Sequence, residues 1–278
     1  MQIIQKSLKV KNYILRGLFS KPDDSYDNIV VMFHGFTGHK NENGYLFKQL
    51  TETLVASNFA TLRYDFMGSG ESDGKFSDYT FFTEIEDGIA IVKEAYELNN
   101  KKPIILLGFS MGGAVASRVS LEVQDLIEKL VLLSPAGNMP QIIDRYFASH
   151  EIDENGNIDM GGYYMNIAIK NAFNNYDMYK DIEKFKKPVL IMQGSNDKSV
   201  FPEYSKKYAE LYENCQYVIV EGSEHCYTKV EYRKIVNETV KKFCKTKKTE
   251  SRWNDWINFT HIIKWCIMTS GYIITPCN

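Results

Sequence analysis

Six short apolar runs, each followed by Gly, Ser, Asp or His, recur along the chain. Continuous apolar runs of this length are typical of strands that are covered on both faces, as in a parallel sheet. The segments between them have helical periodicity; Ile85, Ile89, Val92 and Tyr96, for example, are predicted to form one stripe facing a sheet. The runs are NIVVMFHGF (28–36), FATLRYDFMGSG (59–70), KPIILLGFS (102–110), KLVLLSPAG (129–137), KPVLIMQGSND (187–197) and CQYVIVEGSEH (215–225).

Strands that alternate with helices predict right-handed crossovers and an open, doubly wound, mostly parallel sheet. Segments 43–57 and 227–246 also have a helical pattern, and the first twenty residues predict an antiparallel hairpin at the sheet edge. Residues 137–186 are too long for a simple crossover, so we predict that they form a small inserted cap. Together these features predict one α/β domain over residues 1–248.

The remaining residues, 249–278, do not fit this pattern. They hold all three tryptophans and follow a lysine-rich helix end. Their apolar part is broken by His261 and Lys264 and is shorter than the roughly 20 residues of a spanning helix. We interpret this tail as an extension outside the fold that contributes nothing to function. An element that attaches to a membrane or forms a homodimer is the alternative.

Composition excludes several classes of protein. With 44% hydrophobic residues the chain can bury a core, and its net charge of 33 − 35 = −2 gives no reason to expect nucleic acid or an anionic membrane as a partner. The five cysteines show no disulfide or metal-ligand spacing, which favours a reduced compartment. The first residues alternate apolar with charged side chains, unlike a signal peptide. We therefore expect a cytoplasmic protein without a metal or cofactor.

The third run ends in the motif Gly108-Phe109-Ser110-Met111-Gly112, which matches G-x-S-x-G. A strand before it and a small-residue helix after it predict a sharp turn that exposes the serine hydroxyl at the sheet edge. Glycines two positions before and after the serine leave room for that turn. The alternative is a Gly-rich turn that binds phosphate at a helix N-terminus, but neither G-x-G-x-x-G nor a Walker lysine is present.

A serine hydroxyl becomes a good nucleophile only when a base takes its proton. Among the five histidines only His225 ends a downstream strand, so we predict that it is the base. Its imidazole needs a carboxylate partner, and Asp197 follows the preceding strand. The order Ser, Asp, His is the one expected for this architecture. Glu224 is adjacent in sequence but would reach the imidazole awkwardly.

The charge that develops on a substrate oxygen requires two backbone N–H donors. We predict that these are the N–H groups of Met111, directly after the serine, and of Phe36, in the loop HGFTG. In that loop His34 is interpreted as structural. Arg63 and Asp65, in the segment RYDFMGSGESDG, are interpreted as residues that brace the neighbouring loops.

With these motifs the sequence resembles the α/β-hydrolases and, among them, the bacterial feruloyl (cinnamoyl) esterases. The resemblance covers roughly residues 25–245 and is carried by the stretches HGFTG, RYDFMGSGESDGKFSDYT, EIEDGIAIV, GFSMGG, VLLSPA, GGYYMNIA, KPVLIMQGSNDKSV, SKKYAELY and EGSEHCY. It implies an α/β-hydrolase fold with a small cap between the sixth and seventh core strands. It also implies a serine esterase acting on a small hydroxycinnamic ester, with Ser110, Asp197 and His225 as nucleophile, acid and base.

The same resemblance suggests substrate contacts and shows departures. The elbow of these esterases is usually Gly-His-Ser-Gln-Gly-Gly, whereas Phe109 here makes the rim of the pocket more apolar. Tyr146, Tyr163 and Tyr164 are candidates for an aryl pocket, although aromatic residues in a cap are as often core residues. Asp144 is a candidate partner for a phenolic hydroxyl.

Three alternatives remain open from the sequence. A lipase, thioesterase or peptidase would use the same three residues, and the apolar rim would suit a longer acyl chain. A non-catalytic binding protein has no need for all three residues. A membrane-attached protein would depend on the tail.

Overall fold

The computed structural model describes residues 1–246 and 273–276. Within them lie a large mixed sheet and a separate hairpin. In chain order the strands are β1 (Gln2–Val10), β2 (Tyr13–Lys21), β3 (Ile29–Phe33), β4 (Ala60–Tyr64), β5 (Ile104–Phe109), β6 (Ile127–Leu133), β7 (Asn157–Asp159), β8 (Tyr164–Asn166), β9 (Val189–Gly194), β10 (Cys215–Val220) and β11 (Ile273–Pro276). The helices are α1 (Leu46–Val55), α2 (Phe81–Leu98), α3 (Met111–Glu122), α4 (Met139–Ser149), α5 (Ile167–Ala172), α6 (Pro202–Leu211) and α7 (Val230–Lys245).

The large sheet has the strand order β1-β2-β4-β3-β5-β6-β9-β10-β11. Strands β4, β3, β5, β6, β9 and β10 are parallel, and β1 and β2 form an antiparallel hairpin at one edge. Apolar side chains cover both faces because α2, α3 and α6 pack on one of them and α1 and α7 on the other. Each predicted apolar run thus forms a strand, and the predicted doubly wound α/β fold is confirmed.

The connection from β6 to β9 contains the residues predicted to form a cap, 137–186. It consists of α4, the hairpin β7–β8, α5 and a short 3₁₀ turn at Ile182–Lys184. It therefore comes between the sixth and seventh strands of the large sheet along the chain. That these residues act as a substrate-binding cap stays a prediction.

Most of the predicted tail, 249–278, lies outside the described residues. The exception is β11, whose Ile274 pairs with Val218 of β10 in an antiparallel ladder. Among the residues that the structure describes, no helix combines the length and the apolar character needed to cross a bilayer.

Helix α2 corrects one detail of the prediction. The expected stripe of Ile85, Ile89, Val92 and Tyr96 is only half-buried, apart from Val92. The face against the sheet is rotated by about one residue and is lined by Phe81, Glu84, Asp87, Gly88, Ile91, Val92 and Ala95. Sequence patterning misplaced the stripe because the face that is actually buried includes the carboxyl groups of Glu84 and Asp87, a type of side chain that is rarely buried.

Glu84 makes a testable contribution to stability. Burial, followed by the nearby charge of Asp87, raises the pKa of Glu84 well above its ordinary value, and its buried Oε2 has no hydrogen-bond partner among the described residues. The folded protein therefore keeps a proton that the unfolded chain loses above about pH 4.3. Stability from this group is fully present below that pH and falls by about 1.4 kcal/mol per pH unit as the pH rises towards the folded-state pKa.

The substitution Glu84→Gln should remove this pH dependence. Urea unfolding at about pH 5.5 and about pH 7.5 should show a loss of stability in the wild type that is larger by roughly 1–3 kcal/mol than in the variant. Glu97→Gln, on the exposed face of the same helix, is the matched control and should behave as the wild type. An equal change in the free energy of unfolding between the two pH values in all three proteins would contradict a protonated Glu84.

Candidate active site

Ser110 lies at the turn between the end of β5 and the start of α3. Its backbone has φ 54° and ψ −120°, a region in which residues with a side chain are strained. A Cβ on Gly108 would lie 2.1 Å from the carbonyl oxygen of Gly112, and one on Gly112 would lie 2.2 Å from that of Phe33. Both positions therefore exclude side chains, which explains why glycines surround the serine.

His225 follows β10, which is separated from β5 by β6 and β9 in the sheet, and its side chain reaches Ser110. Its Nε2 lies 2.9 Å from Ser110 Oγ. The ring of Phe109 packs against the imidazole, with the ring centroids 4.9 Å apart. Phe109, which was predicted to lie at the rim of the pocket, thus packs against one face of the His225 ring.

Asp197 follows β9, and its Oδ2 lies 2.7 Å from Nδ1 of His225. Its other oxygen, Oδ1, accepts the backbone N–H groups of Ser199 and Val200, and Gln193 Nε2 donates to Oδ2 at 3.0 Å. Burial by itself would raise the pKa of Asp197, but the hydrogen bonds from His225 and the two backbone groups outweigh burial and lower that pKa. The anionic carboxylate accepts the Nδ1–H of His225, which leaves Nε2 free to accept the serine proton.

The loop after β3 lies beside this serine. A Cβ on Gly35 would lie 3.1 Å from that of Ser110. His34 is fully buried; Nε2 accepts the backbone N–H of Phe66, so Nδ1 donates to the carbonyl of Gly35 at 2.9 Å. Burial lowers the pKa of His34, which keeps the ring neutral in this structural role.

Of the two predicted oxyanion donors, one is next to Ser110 in sequence and the other follows Gly35, which lies beside Ser110 in space. Met111 is the first residue of α3, and Phe36 directly follows Gly35. Neither backbone N–H donates a hydrogen bond to another described residue. Both groups are therefore available to an oxygen atom of a ligand.

The charged residues next to this loop form a buried brace. Asp65 accepts hydrogen bonds from the backbone N–H and Nζ of Lys40 and from the backbone N–H of Glu71. Arg63 donates to the carbonyl of Lys40, and burial lowers its pKa to about 10. These contacts fit the structural interpretation of Arg63 and Asp65.

Five aromatic rings form what we call the aromatic cluster. One of them, Phe36, belongs to the loop 34–38, which carries a predicted oxyanion donor and which we call the oxyanion loop. The ring of Phe36 lies 5.8 Å from those of Phe76 and Tyr146, measured between centroids. Phe76 in turn lies 4.5 Å from Tyr79 and 4.7 Å from Tyr163. The predicted contacts Tyr146 and Tyr163 therefore come together from the inserted segment onto core residues near Ser110.

The other two predicted substrate contacts are also on the inserted segment, and of these Tyr164 lines a cavity together with Phe76 and Tyr163 of the aromatic cluster. Tyr164 is 55% exposed and, with Thr37, Lys75 and Tyr163, lines an open cavity of about 390 Å³. Asp144 is exposed and pairs with Lys170 at 3.3 Å. It lies about 200° around α4 from Tyr146, so no described contact brings it to the aromatic cluster.

Sequence reasoning missed four residues of this site. Phe76 and Tyr79 stand in the stretch KFSDYT, which carries the resemblance to the esterases but shows no periodicity that would reveal their contacts. Glu42, seven residues after Gly35, and Gln193, at the end of β9, are buried polar side chains. A polar residue gives no sign in the sequence that it will be buried.

Over the described residues, no group of three or more His, Cys, Asp or Glu side chains could hold a metal ion.

Comparison with known proteins shows what the chain is similar to. A family model described as serine aminopeptidase, S33, matches residues 24–151. Est1E from Butyrivibrio proteoclasticus, solved with ferulic acid bound, is 29% identical with a TM-score of 0.77, covering 86% of this chain and 97% of its own. The AB hydrolase superfamily protein YisY of Bacillus subtilis is 24% identical over 241 residues, 73% of this chain and 87% of YisY. A Haemophilus influenzae protein whose name suggests an esterase or lipase is 24% identical over 249 residues, 77% of this chain and 82% of its own.

The chain has the α/β-hydrolase fold, and the proteins it is similar to include one named as an esterase or lipase. It resembles the feruloyl esterases, since it shares its fold with the ferulic-acid-bound Est1E and is 29% identical to it over a match that covers 86% of the chain.

Proposed function

We propose that the protein is a serine esterase that cleaves carboxylic esters through an acyl-serine intermediate. One observation carries the proposal: an unbroken chain of hydrogen bonds joins Ser110 Oγ, the imidazole of His225 and the carboxylate of Asp197. This chain connects a nucleophile, a base and the group that orients the base.

The reaction follows from these contacts. Ser110 Oγ attacks the ester carbonyl while His225 Nε2 takes the hydroxyl proton, and Asp197 stabilises the resulting imidazolium. The bond to the alcohol oxygen then breaks as His225 returns the proton to that oxygen. Water, deprotonated by the same imidazole, attacks the acyl group, releases the acid and restores the serine.

The negative charge of each tetrahedral intermediate falls on the former carbonyl oxygen. We propose that the N–H groups of Phe36 and Met111 bind this oxygen. Both N–H groups are held in place by the fold. That of Met111 belongs to the first residue of α3, and that of Phe36 lies in a loop fixed by His34. Loss of one such donor typically lowers turnover by about 10²–10³-fold.

The preferred acyl group is proposed to be aromatic and of the hydroxycinnamoyl type. The aromatic cluster offers ring faces and edges directly beside the proposed oxyanion donor Phe36. Aromatic rings attract one another by about 0.5–1.5 kcal/mol beyond their area burial. The ferulic acid bound to the related Est1E supports the same substrate class.

The substitution Tyr146→Ala tests this preference. It should lower kcat/KM for methyl ferulate by about 10-fold or more, but that for p-nitrophenyl acetate by less than about threefold, because only the aryl group loses a partner ring. Tyr26→Ala is the matched control, since Tyr26 is also half-buried but contacts Leu98 and Phe19. Equal losses on both esters would contradict an aryl site at the cluster.

The family match supports a second candidate function, peptidase activity, because its model is described as a serine aminopeptidase. Peptidase activity would use the same nucleophile, base and acid. Faster turnover of aminoacyl p-nitroanilides than of methyl ferulate or longer p-nitrophenyl esters would favour it. A protein that turns over none of these substrates would instead be a non-catalytic binder.

A further inference from the structure

Glu42 is a buried carboxylate for which the proposed reaction has no direct use. Its side chain is only 4% exposed, and its backbone adopts φ 60° and ψ 165°. Such a conformation is strained in a residue other than glycine and persists only where surrounding contacts hold it. The carboxylate folds back onto the oxyanion loop, where Oε1 accepts the N–H of Gly35 and Oε2 accepts that of Asn43.

Both hydrogen bonds that the Glu42 carboxylate accepts come from backbone N–H groups, and the Arg233 guanidinium interacts with its charge only at longer range. No Lys, Arg or His nitrogen of the described residues lies within ion-pair distance of it. A Cβ on Gly38 would lie 2.7 Å from Oε1, so the loop is shaped closely around the carboxylate. Burying a carboxylate is costly unless hydrogen bonds compensate it, which makes the bond to Gly35 a strong constraint on the loop.

The peptide group that carries the Phe36 N–H is thereby held from two sides. Its carbonyl oxygen, that of Gly35, accepts hydrogen bonds from Gly38 N at 3.0 Å and from His34 Nδ1 at 2.9 Å. The preceding peptide group is fixed through its N–H by Glu42. One polar group of each of these two consecutive peptide planes is hydrogen-bonded, so neither plane can flip without breaking a contact.

We propose that Glu42 is a positioning residue that holds the Phe36 N–H towards the substrate oxygen. It touches neither substrate nor Ser110 and acts through the Gly35 peptide. The inference rests on the proposed esterase function and adds to it a residue that neither motif nor triad includes. Preorganised donors stabilise a transition state because they need no reorganisation when charge develops.

The test compares Glu42→Ala and Glu42→Gln with Val240→Ala. We expect Glu42→Ala to lower kcat for methyl ferulate by about 10–100-fold with KM within about twofold, since the donor is lost mainly in the transition state. Glu42→Gln keeps one acceptor oxygen for Gly35 and should lose less than about 10-fold. Val240, buried on α7, serves as the control for lost stability and should leave kcat unchanged.

A second readout reports on the loop itself. Hydrogen exchange of the peptide covering residues 34–38 should be at least about 10-fold faster in Glu42→Ala than in the wild type, and unchanged in Val240→Ala. Unchanged kcat and unchanged exchange in Glu42→Ala would overturn the proposal, as would losses that merely follow the fraction of folded protein.

The esterase proposal and the proposed role of Glu42 can be contradicted independently of each other. A wild type that hydrolyses no ester overturns the esterase proposal alone. In that case the rate at which a fluorophosphonate labels Ser110 replaces kcat, because the phosphoryl oxygen needs the same donors. A labelling rate that is equal in the wild type and in Glu42→Ala then overturns the role of Glu42.

Discussion

Replacing Ser110 with alanine is expected to lower kcat for methyl ferulate by at least about 10⁴-fold. The hydroxyl lies 2.9 Å from His225 Nε2, and without it no acyl-enzyme forms. The remaining N–H donors at Phe36 and Met111 would still bind the carbonyl oxygen, so a small hydrolysis rate by direct attack of water should persist. Purified wild type and variant are compared on the same ester under saturating substrate.

Ser110→Gly provides the matching control for folding. The backbone at this position has φ 54°, which glycine adopts without strain. We therefore expect this variant to be as inactive as Ser110→Ala but more stable than the wild type by about 1 kcal/mol. Activity within about 10-fold of the wild type in either variant would exclude Ser110 as the nucleophile.

The substitution Asp197→Asn has the second largest expected effect, a loss of about 10³–10⁴-fold in kcat. In the wild type the carboxylate accepts Nδ1–H of His225 and a hydrogen bond from Gln193. An amide at this position presents one NH₂ group, which would donate to Nδ1 and leave the proton on Nε2. The imidazole would then be unable to accept the proton of Ser110.

The measurement is kcat over a pH series, because a wrong tautomer lowers the plateau and not only one limb of the profile. Asp181→Asn is the control, since Asp181 pairs with Lys184 on the surface of the inserted segment. A variant Asp197→Asn that keeps more than about one tenth of the activity would show that another group orients His225.

The positions of Ser110, Asp197 and His225 were predictable from sequence for a geometric reason. Each follows an apolar run, and all these runs form parallel strands whose carboxyl ends meet at one edge of the sheet. The glycines around Ser110 were predictable because only backbone atoms fit there. Strand order follows from the fold class, so local patterns sufficed for these three residues.

The environment of the three residues was not predictable in the same way. Tyr79 and Phe76 stand between elements, and their contacts with Phe36 and Tyr163 depend on how the inserted segment packs. In the sequence, Glu42 cannot be distinguished from an ordinary surface carboxylate, because nothing in HGFTGHKNE shows that its side chain folds back onto Gly35.

Two further expectations depended on tertiary contacts in the same way: the role of Asp144 as a substrate contact stays a prediction, and the stripe on α2 was wrong. Asp144 was chosen only for its charge, and in the structure that charge pairs with Lys170. The stripe on α2 was drawn through apolar residues, whereas the helix buries Glu84 and Asp87. In both cases tertiary contacts, which a single sequence does not encode locally, decided where a carboxyl group lies.

Trapping the acyl-enzyme tests the central claim most directly. Methyl ferulate is mixed with excess enzyme, the reaction is quenched in acid during the first turnover, and the modified peptide is identified by mass spectrometry. The account predicts one feruloyl group on the peptide containing Ser110, formed at least as fast as the steady-state turnover, and none in Ser110→Ala. Steady ester hydrolysis without any acylated peptide, or with the acyl group on another residue, would contradict it.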